Sequence, residues 1–213
     1  MFDVHTHHLS GNPSEAMFSC CMNDNMHPNF QKARYLSAGI HPWYLTEEDI
    51  NNQLLWLDEL LAGDSRLLAL GEAGLDKICP TPFQLQLKAF QEVINRSEHY
   101  EQPLFIHCVK ASGEIIALKK KYTPRHPWII HGFRGKKELA LTYLRHGFYL
   151  SYGRYFHPEA VQATPSERLL LETDEASLPI QEVYKQVAAA RKVSLNQLVE
   201  CVDQNINFLF FSR

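Results

Sequence analysis

Residues 104–133 read LFIHCVKASGEIIALKKKYTPRHPWIIHGF, and this stretch decides the fold. Two short apolar runs, 104–107 and 128–131, flank the segment 112–122, in which apolar residues recur at helical spacing. A strand, a helix and a second strand in this order form the βαβ unit of a parallel sheet. Both apolar runs end in a histidine, so equivalent positions of neighbouring strands carry the same functional group.

The same alternation extends over the whole chain. The predicted strands are residues 2–7, 17–21, 35–41, 67–72, 104–107, 128–131, 148–152 and 169–174. Eight strands is the number in a TIM-type (β/α)8 barrel, so we predict this α/β fold for one domain covering residues 1–213. Helices are predicted at 84–100, at 112–122 and after the capping box of Ser194 and Gln197. Only about a dozen residues separate the first strand from the second and the second from the third. These two crossovers are therefore predicted to be shortened, with helices of a single turn or none.

Composition excludes several classes of protein. Of the 213 residues, 45% are hydrophobic and 21% are charged, which is typical of a globular domain rather than a disordered chain. The net charge of -3 argues against a general nucleic-acid clamp, so any charge that binds phosphates has to be local. The five cysteines form no C-x-x-C pair and are expected to be free thiols. Without a long apolar stretch or a signal-like start, we expect a cytoplasmic protein with no membrane partner.

Histidine and carboxylate side chains follow the predicted strands. His5 and His7 lie two residues apart on the first strand, so both imidazoles point to the same face. The carboxyl ends of four later strands carry Glu72, His107, His131 and Asp174. In a parallel barrel these ends share one rim, where active sites are built. Several unpaired imidazoles and carboxylates in an apolar barrel mouth are costly without a cation, so the pattern predicts a metal site.

The ligand set restricts the metal. Four imidazoles and two carboxylates without a thiolate suit zinc, manganese, iron, cobalt or nickel better than calcium. Six ligands are more than one tetrahedral zinc with an open position needs. Two divalent ions about 3.5–4 Å apart and bridged by a carboxylate explain the set best. A non-catalytic, metal-stabilised protein is disfavoured, because closed structural sites use four tight ligands that often include cysteine.

Six strings in the chain resemble the TatD-type metal-dependent deoxyribonucleases and hydrolases. They occur in that family's order and span nearly the whole chain. The strings are Asp3-Val4-His5-Thr6-His7, Gly39-Ile40-His41-Pro42-Trp43, Gly71-Glu72-Ala73-Gly74-Leu75-Asp76, Phe105-Ile106-His107, Ile130-His131-Gly132-Phe133 and Leu171-Glu172-Thr173-Asp174, and the C-terminal Asn205-Ile206-Asn207-Phe208-Leu209-Phe210 is also similar.

The resemblance implies an amidohydrolase-like barrel that holds two divalent ions and hydrolyses phosphodiester bonds with metal-activated water. The substrate implied is DNA, often cleaved from 3′ to 5′. By position, His5, His7 and Asp174 would face one ion, His107 and His131 the other, and Glu72 would bridge them. Asp174 would accept or orient the proton of the attacking water, and Glu72 would stay ionised between the cations.

Residues around this set are weaker candidates for substrate contacts. His41 would line the pocket without coordinating, and Asp76 would either support a ligating imidazole or cap a loop. A local basic patch is predicted from loop residues after the strands: Lys77, Lys110, Arg134, Lys136, Lys137 and Arg154. Aromatic residues that could stack a base near Arg154 are Tyr152, Tyr155 and Phe156.

Two departures from the family pattern leave the substrate open. Val109 and Lys110 stand where the family often carries an arginine two positions after the histidine. Glu175 and Ala176 replace the usual Ala-Pro, which adds a negative charge beside the metals. The alternative is therefore an amidohydrolase-type enzyme acting on a small amide, lactone or cyclic substrate. Metal identity, polarity of digestion and oligomeric state stay open.

Overall fold

Eight strands form the frame of the molecule in the computed structural model, which describes residues 1–9 and 11–212. They are β1 (Asp3–Thr6), β2 (Ala16–Cys20), β3 (Tyr35–Ala38), β4 (Leu67–Asp76), β5 (Leu104–Val109), β6 (Trp128–Ile130), β7 (Tyr149–Tyr152) and β8 (Leu169–Leu171). Each strand pairs in parallel with the next one along the chain. The predicted strand number and the parallel order are confirmed.

The sheet closes into a barrel where β1 meets the residues after β8. A parallel bridge joins Thr6 to Asp174, whose backbone N–H donates to the His5 carbonyl at 2.9 Å. Beside this bridge, the Asp3 carboxylate accepts from the Thr173 backbone N–H at 3.0 Å and from its hydroxyl at 2.6 Å. Burial raises the pKa of Asp3 to about 7, although both hydrogen bonds oppose that shift. We call this junction the closing seam.

Helices cover the outside of the barrel and alternate with the strands. In the described chain they are α1 (Pro28–Lys32), α2 (Ile50–Gly63), α3 (Phe83–His99), α4 (Ser112–Tyr122), α5 (Lys137–Arg145), α6 (Pro158–Ala163), α7 (Ile180–Arg191) and α8 (Leu195–Ile206). The β1–β2 link has one turn of 3₁₀ helix, Pro13–Glu15, and the β2–β3 link has a 3₁₀ turn and the short α1. Shortened first crossovers are therefore confirmed. The capping box that opens α8 is also present.

Strand β4 is longer than predicted and continues past Glu72 to Asp76. Its register against β5 shifts between Leu70 and Ala73. Gly71 makes this irregular path feasible, because it has a φ of +109° and a Cβ there would collide with the Phe105 carbonyl. The extra residues carry Asp76 up to the rim of the barrel, which places its carboxylate beside the site.

The C-terminal residues cover the opposite end of the barrel. The π-helical turn Asn207–Phe211 follows α8, and its Phe211 ring lies 6.3 Å from Phe2 and 5.1 Å from Tyr35, at the starts of β1 and β3. The carboxyl ends of the strands are thus left as the open face. No helix in the described part of the chain is long and apolar enough to span a lipid bilayer.

Candidate metal centre

The six predicted ligands lie together at the open face of the barrel. Glu72 and His107 belong to β4 and β5, His5 belongs to β1, and the other three directly or closely follow strands. The structure brings together all six: His5, His7, Glu72, His107, His131 and Asp174. The reason is geometric, since the carboxyl ends of parallel strands meet on one rim.

Glu72 is the centre of this cluster, and its side chain is only 7% exposed. Its Oε2 lies 3.3 Å from Nε2 of His5 and 3.3 Å from Nε2 of His7. Its Oε1 lies 2.8 Å from Nε2 of His131 and 2.5 Å from Nδ1 of His107. The two oxygens therefore face different pairs of imidazoles, which is the geometry required of a carboxylate shared by two ions.

Ligand atoms lie within 4.8 Å of one another in several groups of three. Among the described residues these groups are His5–Glu72–His131, His5–His7–Asp174, His41–Glu72–His107 and His131–Glu172–Asp174. Each group contains nitrogen and oxygen donors without a thiolate, the ligand set of zinc, manganese, iron, cobalt or nickel.

Unsatisfied buried nitrogen atoms test whether these residues fit a cation. His5 is fully buried, and neither of its ring nitrogens has a hydrogen-bond partner in the described chain. Its Nε2 approaches Glu72 at 3.3 Å without hydrogen-bond geometry. The buried Nδ1 of His131 also has no hydrogen-bond partner among the described residues. Leaving such a group unpaired costs about 1–3 kcal/mol, which a bound cation would relieve at a ring nitrogen. The residues fit a divalent metal.

A comparison with known families assigns the chain. The sequence profile of a family described as TatD related DNase matches residues 19–211. The chain belongs to the TatD related DNase family. This membership confirms the family that the sequence motifs predicted, although the matched range begins after His5 and His7.

Curated relatives of this TatD-family chain carry names of the predicted class. An uncharacterized metal-dependent hydrolase, YabD from Bacillus subtilis, is 28% identical over 83% of this chain and 77% of its own length. The 3′-5′ ssDNA/RNA exonuclease TatD from Cronobacter sakazakii is 30% identical over 65% of this chain and 56% of its own length. The chain thus spans only slightly more than half of the Cronobacter enzyme.

Solved structures of the TatD family share the fold. The TatD homolog YjjV from Escherichia coli has a TM-score of 0.82 with 18% identity, covering 98% of this chain and 96% of its own. This likeness confirms the TIM-type barrel over essentially the full length of both chains.

Charges within the TatD-family site compensate for burial. Burial opposes ionisation of Glu72, but the charge of His131 and contacts from three imidazoles hold its pKa well below the usual range. Burial also disfavours a charged His131, yet Glu72 and Glu172 raise the pKa of His131 well above its ordinary value. For His5, burial and the neighbouring His131 lower the pKa. A neutral imidazole is the form that ligates a metal.

Two residues in the ligand groups lie outside the predicted ligand set. His41 Nε2 lies 3.1 Å from Glu72 Oε1 and 3.3 Å from His107 Nδ1, within the ligand cluster rather than merely along the pocket wall. Glu172 is fully buried, and its Oε1 lies 3.4 Å from His131 Nδ1. Both residues occur in the family-like strings, so motif position was the only sequence signal that pointed to them.

Asp76 supports the cluster from behind. Its Oδ2 lies 3.0 Å from His107 Nε2 and accepts from the Trp43 indole at 2.7 Å, while its Oδ1 accepts from the Ile78 backbone N–H at 2.9 Å. Burial favours the neutral carboxyl, but the contact with His107 lowers the pKa of Asp76. Asp76 therefore combines both alternatives considered for it, since it contacts the imidazole of His107, a predicted ligand, and caps a loop.

The predicted basic patch is only partly assembled. Arg134 Nη2 lies 3.5 Å from Asp174 Oδ2, and the guanidinium groups of Arg134 and Arg154 lie 5.1 and 4.8 Å from the centre of the Tyr155 ring. Lys110 lines a further cavity beside His107. Lys77 instead pairs with Glu114 at 2.5 Å. Lys136 and Lys137 stand at the start of α5 and line none of the three cavities described below.

Of the three predicted stacking residues, Tyr155 alone is exposed, and its ring already has the guanidinium groups of Arg134 and Arg154 beside it. The residue is 57% exposed. The expectation for Tyr152 is wrong, because this residue is fully buried and its hydroxyl hydrogen-bonds Thr164 at 2.7 Å. Phe156 is partly buried and packs against the hydrophobic core.

Three cavities meet at Asp174. One of about 540 Å³ extends over β2 and β3 and includes Trp43 and Tyr44. A second, of about 460 Å³, is lined by Arg134 and Arg154. A third, of about 500 Å³, lies over β5 and β6. A substrate bound at the cluster therefore has room on several sides.

Proposed function

We propose that this chain is a divalent-metal-dependent phosphodiesterase that acts on DNA, with residues 1–213 forming its single domain. The observation that carries the proposal is the Glu72 carboxylate, whose two oxygens face separate imidazole pairs beside the unsatisfied His5 ring. A site of this kind suits two ions and an in-line displacement at phosphorus. The name of the Cronobacter relative supports single-stranded DNA as substrate and 3′-to-5′ cleavage.

The cofactor in this proposal is a pair of divalent ions. Zinc, manganese, iron, cobalt and nickel suit the imidazole-rich ligand set, and magnesium, which suits carboxylate ligands, is a further candidate. His5, His7 and Asp174, which form one of the ligand groups, would hold one ion. His107 and His131, which both contact Glu72 Oε1, would hold the other, and Glu72 would contact both. When bound, the pair supplies Lewis acidity toward the phosphate oxygens and a lowered pKa for water.

Asp174 is suited to handle the proton of the attacking water. Its side chain is 21% exposed, so it can be reached by solvent, and its Oδ1 lies 3.8 Å from His7 Nε2. A φ of +57° places its backbone in the left-handed region, in which aspartate is one of the better-tolerated residues. We assign proton acceptance or water orientation to Asp174. Glu72 holds negative charge between the imidazoles and transfers no proton.

Substrate binding is assigned to the flanking residues. Arg134 and Arg154 flank one side of the cluster and Lys110 flanks another, where each can neutralise a phosphate. His41 lies at the floor beside Glu72 and is placed to contact either an ion or the substrate.

The test is metal-dependent cleavage of a fluorescent single-stranded DNA oligonucleotide after chelator treatment and reloading with manganese or zinc. We expect Asp174→Asn to lower kcat by about 10²–10⁴-fold, the range for loss of a general base. Glu47→Gln removes an exposed carboxylate that lines none of the three cavities and serves as the control. Full metal-dependent turnover by Asp174→Asn would contradict the mechanism.

A second candidate, hydrolysis of a small amide, lactone or cyclic compound, is favoured by one observation. The 540 Å³ cavity has no lysine or arginine among its described lining residues. Binding of an uncharged substrate releases few counterions and would depend little on salt concentration. Binding of DNA would weaken steeply as the salt concentration rises. Turnover of small lactones or amides without cleavage of DNA would select this candidate.

A further inference from the structure

The surroundings of the metal centre are charged unevenly. We use the name aromatic pocket for the 540 Å³ cavity formed above the ligand cluster by Cys21, Asp24, Trp43, Tyr44 and Glu175. Its described lining includes two carboxylates besides the ligand cluster and lacks lysine and arginine. The 460 Å³ cavity on the other side of Asp174 is lined by two arginines. Phosphates of a bound strand are therefore attracted to one side of the centre and repelled from the other.

Aromatic faces make the aromatic pocket suitable for an uncharged, planar group. Trp43 is 47% exposed and Tyr44 is 53% exposed, although both lie beside a buried cluster. The Trp43 indole is fixed by its 2.7 Å hydrogen bond to Asp76, and the Tyr44 ring lies 5.3 Å from the His41 ring. Fixed aromatic rings stack nucleic-acid bases at about 1–3 kcal/mol per base.

The two carboxylates face the pocket from different loops. Asp24 lies in the β2–β3 connection, where its Oδ2 accepts from the Cys21 backbone N–H at 2.8 Å. Glu175 follows the ligand Asp174 and is exposed. Neither has an arginine or lysine among its observed ion-pair partners in the described chain. Their negative charge is thus available to act on a bound group.

We propose that the aromatic pocket takes the terminal nucleoside of a DNA strand and binds it more tightly when that terminus carries a hydroxyl than when it carries a phosphate. This inference rests on the proposed function. With the scissile phosphodiester at the ligand cluster, the rest of the strand extends toward Arg134 and Arg154, and one nucleoside remains on the other side. A terminal phosphomonoester carries about -1.5 to -2 charges at pH 7 and would be placed beside Asp24 and Glu175.

The cavity volume agrees with this occupant. At about 540 Å³ the aromatic pocket lies within the range of about 300–1,000 Å³ that is usual for small-molecule sites, which is ample for one nucleoside. A continuous strand would place a further phosphate beside Asp24 and Glu175, so a chain end fits the pocket better.

The experiment compares short deoxythymidine oligonucleotides with phosphorothioate linkages. Each carries fluorescein at the end that is not varied. One pair differs only in a 3′-hydroxyl or 3′-phosphate, the other only in a 5′-hydroxyl or 5′-phosphate. Dissociation constants are measured by fluorescence anisotropy with manganese-loaded protein at low ionic strength. We expect phosphate at one end to weaken binding by about tenfold, equivalent to about 1.4 kcal/mol, and phosphate at the other end to have little effect. The sensitive end is the one that enters the pocket.

Variants identify the cause of the discrimination. The discrimination is the ratio of the dissociation constants for the phosphate-ended and hydroxyl-ended oligonucleotides. Glu175→Gln and Asp24→Asn each lower this ratio, and the double variant brings it close to one. The asparagine keeps an acceptor oxygen for the backbone N–H of Cys21. Glu47→Gln, which removes an equal charge outside the cavity, retains the full ratio. A ratio near one at both ends, absence of binding, or an unchanged ratio in the double variant overturns the inference. Cleavage of unmodified oligonucleotides is scored separately, so activity without discrimination refutes this inference and leaves the proposed function standing.

Discussion

Replacing Glu72 with glutamine tests the metal centre most directly. The substitution keeps the size of the side chain and removes the charge that contacts five imidazoles in the structure. Glu72 belongs to two of the four ligand groups, one with His5 and His131 and the other with His41 and His107. Both groups lose their carboxylate, so we expect the variant to bind neither ion with its original affinity.

The size of the effect follows from mass action. An ion at one hundred times its Kd stabilises the folded state by about 2.7 kcal/mol, so two independent ions contribute about 5.4 kcal/mol. For a chain of this length each kcal/mol raises Tm by about 2–4 °C. The wild-type protein should therefore gain about 10–20 °C on addition of metal after chelation, and Glu72→Gln should gain almost nothing.

Differential scanning fluorimetry with zinc or manganese measures this gain, and elemental analysis of dialysed protein counts the ions. Glu47→Gln, with the same loss of charge at an exposed site, should retain the wild-type gain. A Glu72→Gln variant that still gains 10 °C and binds two ions would refute the assignment of this carboxylate to both. A wild-type gain of about 5–10 °C with a single ion would reduce the centre to one metal.

Two further substitutions test packing and burial. Gly39→Ala would drive a Cβ into the Glu72 carbonyl, so we expect urea unfolding to show a free energy of unfolding lowered by about 1–3 kcal/mol or more. The control Gly63→Ala places its Cβ where no atom lies within 4 Å, so it should be neutral or stabilising. Burial lowers the pKa of Lys119 to about 8. Between pH 8 and 10.5 the unfolded chain holds more protons at this lysine, so wild-type stability rises with pH there. Lys119→Met should therefore raise Tm at pH 7, and this gain should shrink toward pH 10.5. The control is Lys120→Met, at an exposed position. No gain relative to that control would show that the contacts of Lys119 with the Trp128 and Phe148 rings outweigh the cost of burying its charge.

The sequence contained enough information for the barrel and for the six central residues, because both depend on where strands end. An apolar run followed by His107 or His131 places a side chain on the rim whatever its rotamer. The direction in which a side chain points at the rim could not be predicted from the sequence in the same way. Glu172 lies on the buried side of the same segment as Asp174, and the Tyr152 ring turns into the core, so their surroundings depend on packing between distant strands.

Connections were harder to predict than strands. The extension of β4 to Asp76 depends on the close approach of Gly71 to β5, and alternation of apolar residues does not encode it. Trp43 and Tyr44 belong to a single 3₁₀ turn, Pro42–Tyr44, in which no periodicity marks a pocket wall. The uneven charge around the centre was also not predictable, because Asp24 and Glu175 on one side and Arg134 and Arg154 on the other come from loops that are far apart in sequence.

The closing seam also determines when the proposed metal site can be completed during synthesis. His5 and His7 leave the ribosome before their partner Asp174, which lies in the last strand region of the barrel and reaches them through the Thr6–Asp174 bridge. At about 5–20 residues per second, that partner is translated roughly 8–33 seconds later. During this interval the two histidines of the proposed site lack their carboxylate partner, and the ligand group that contains Asp174 is completed only when the last strand closes the barrel.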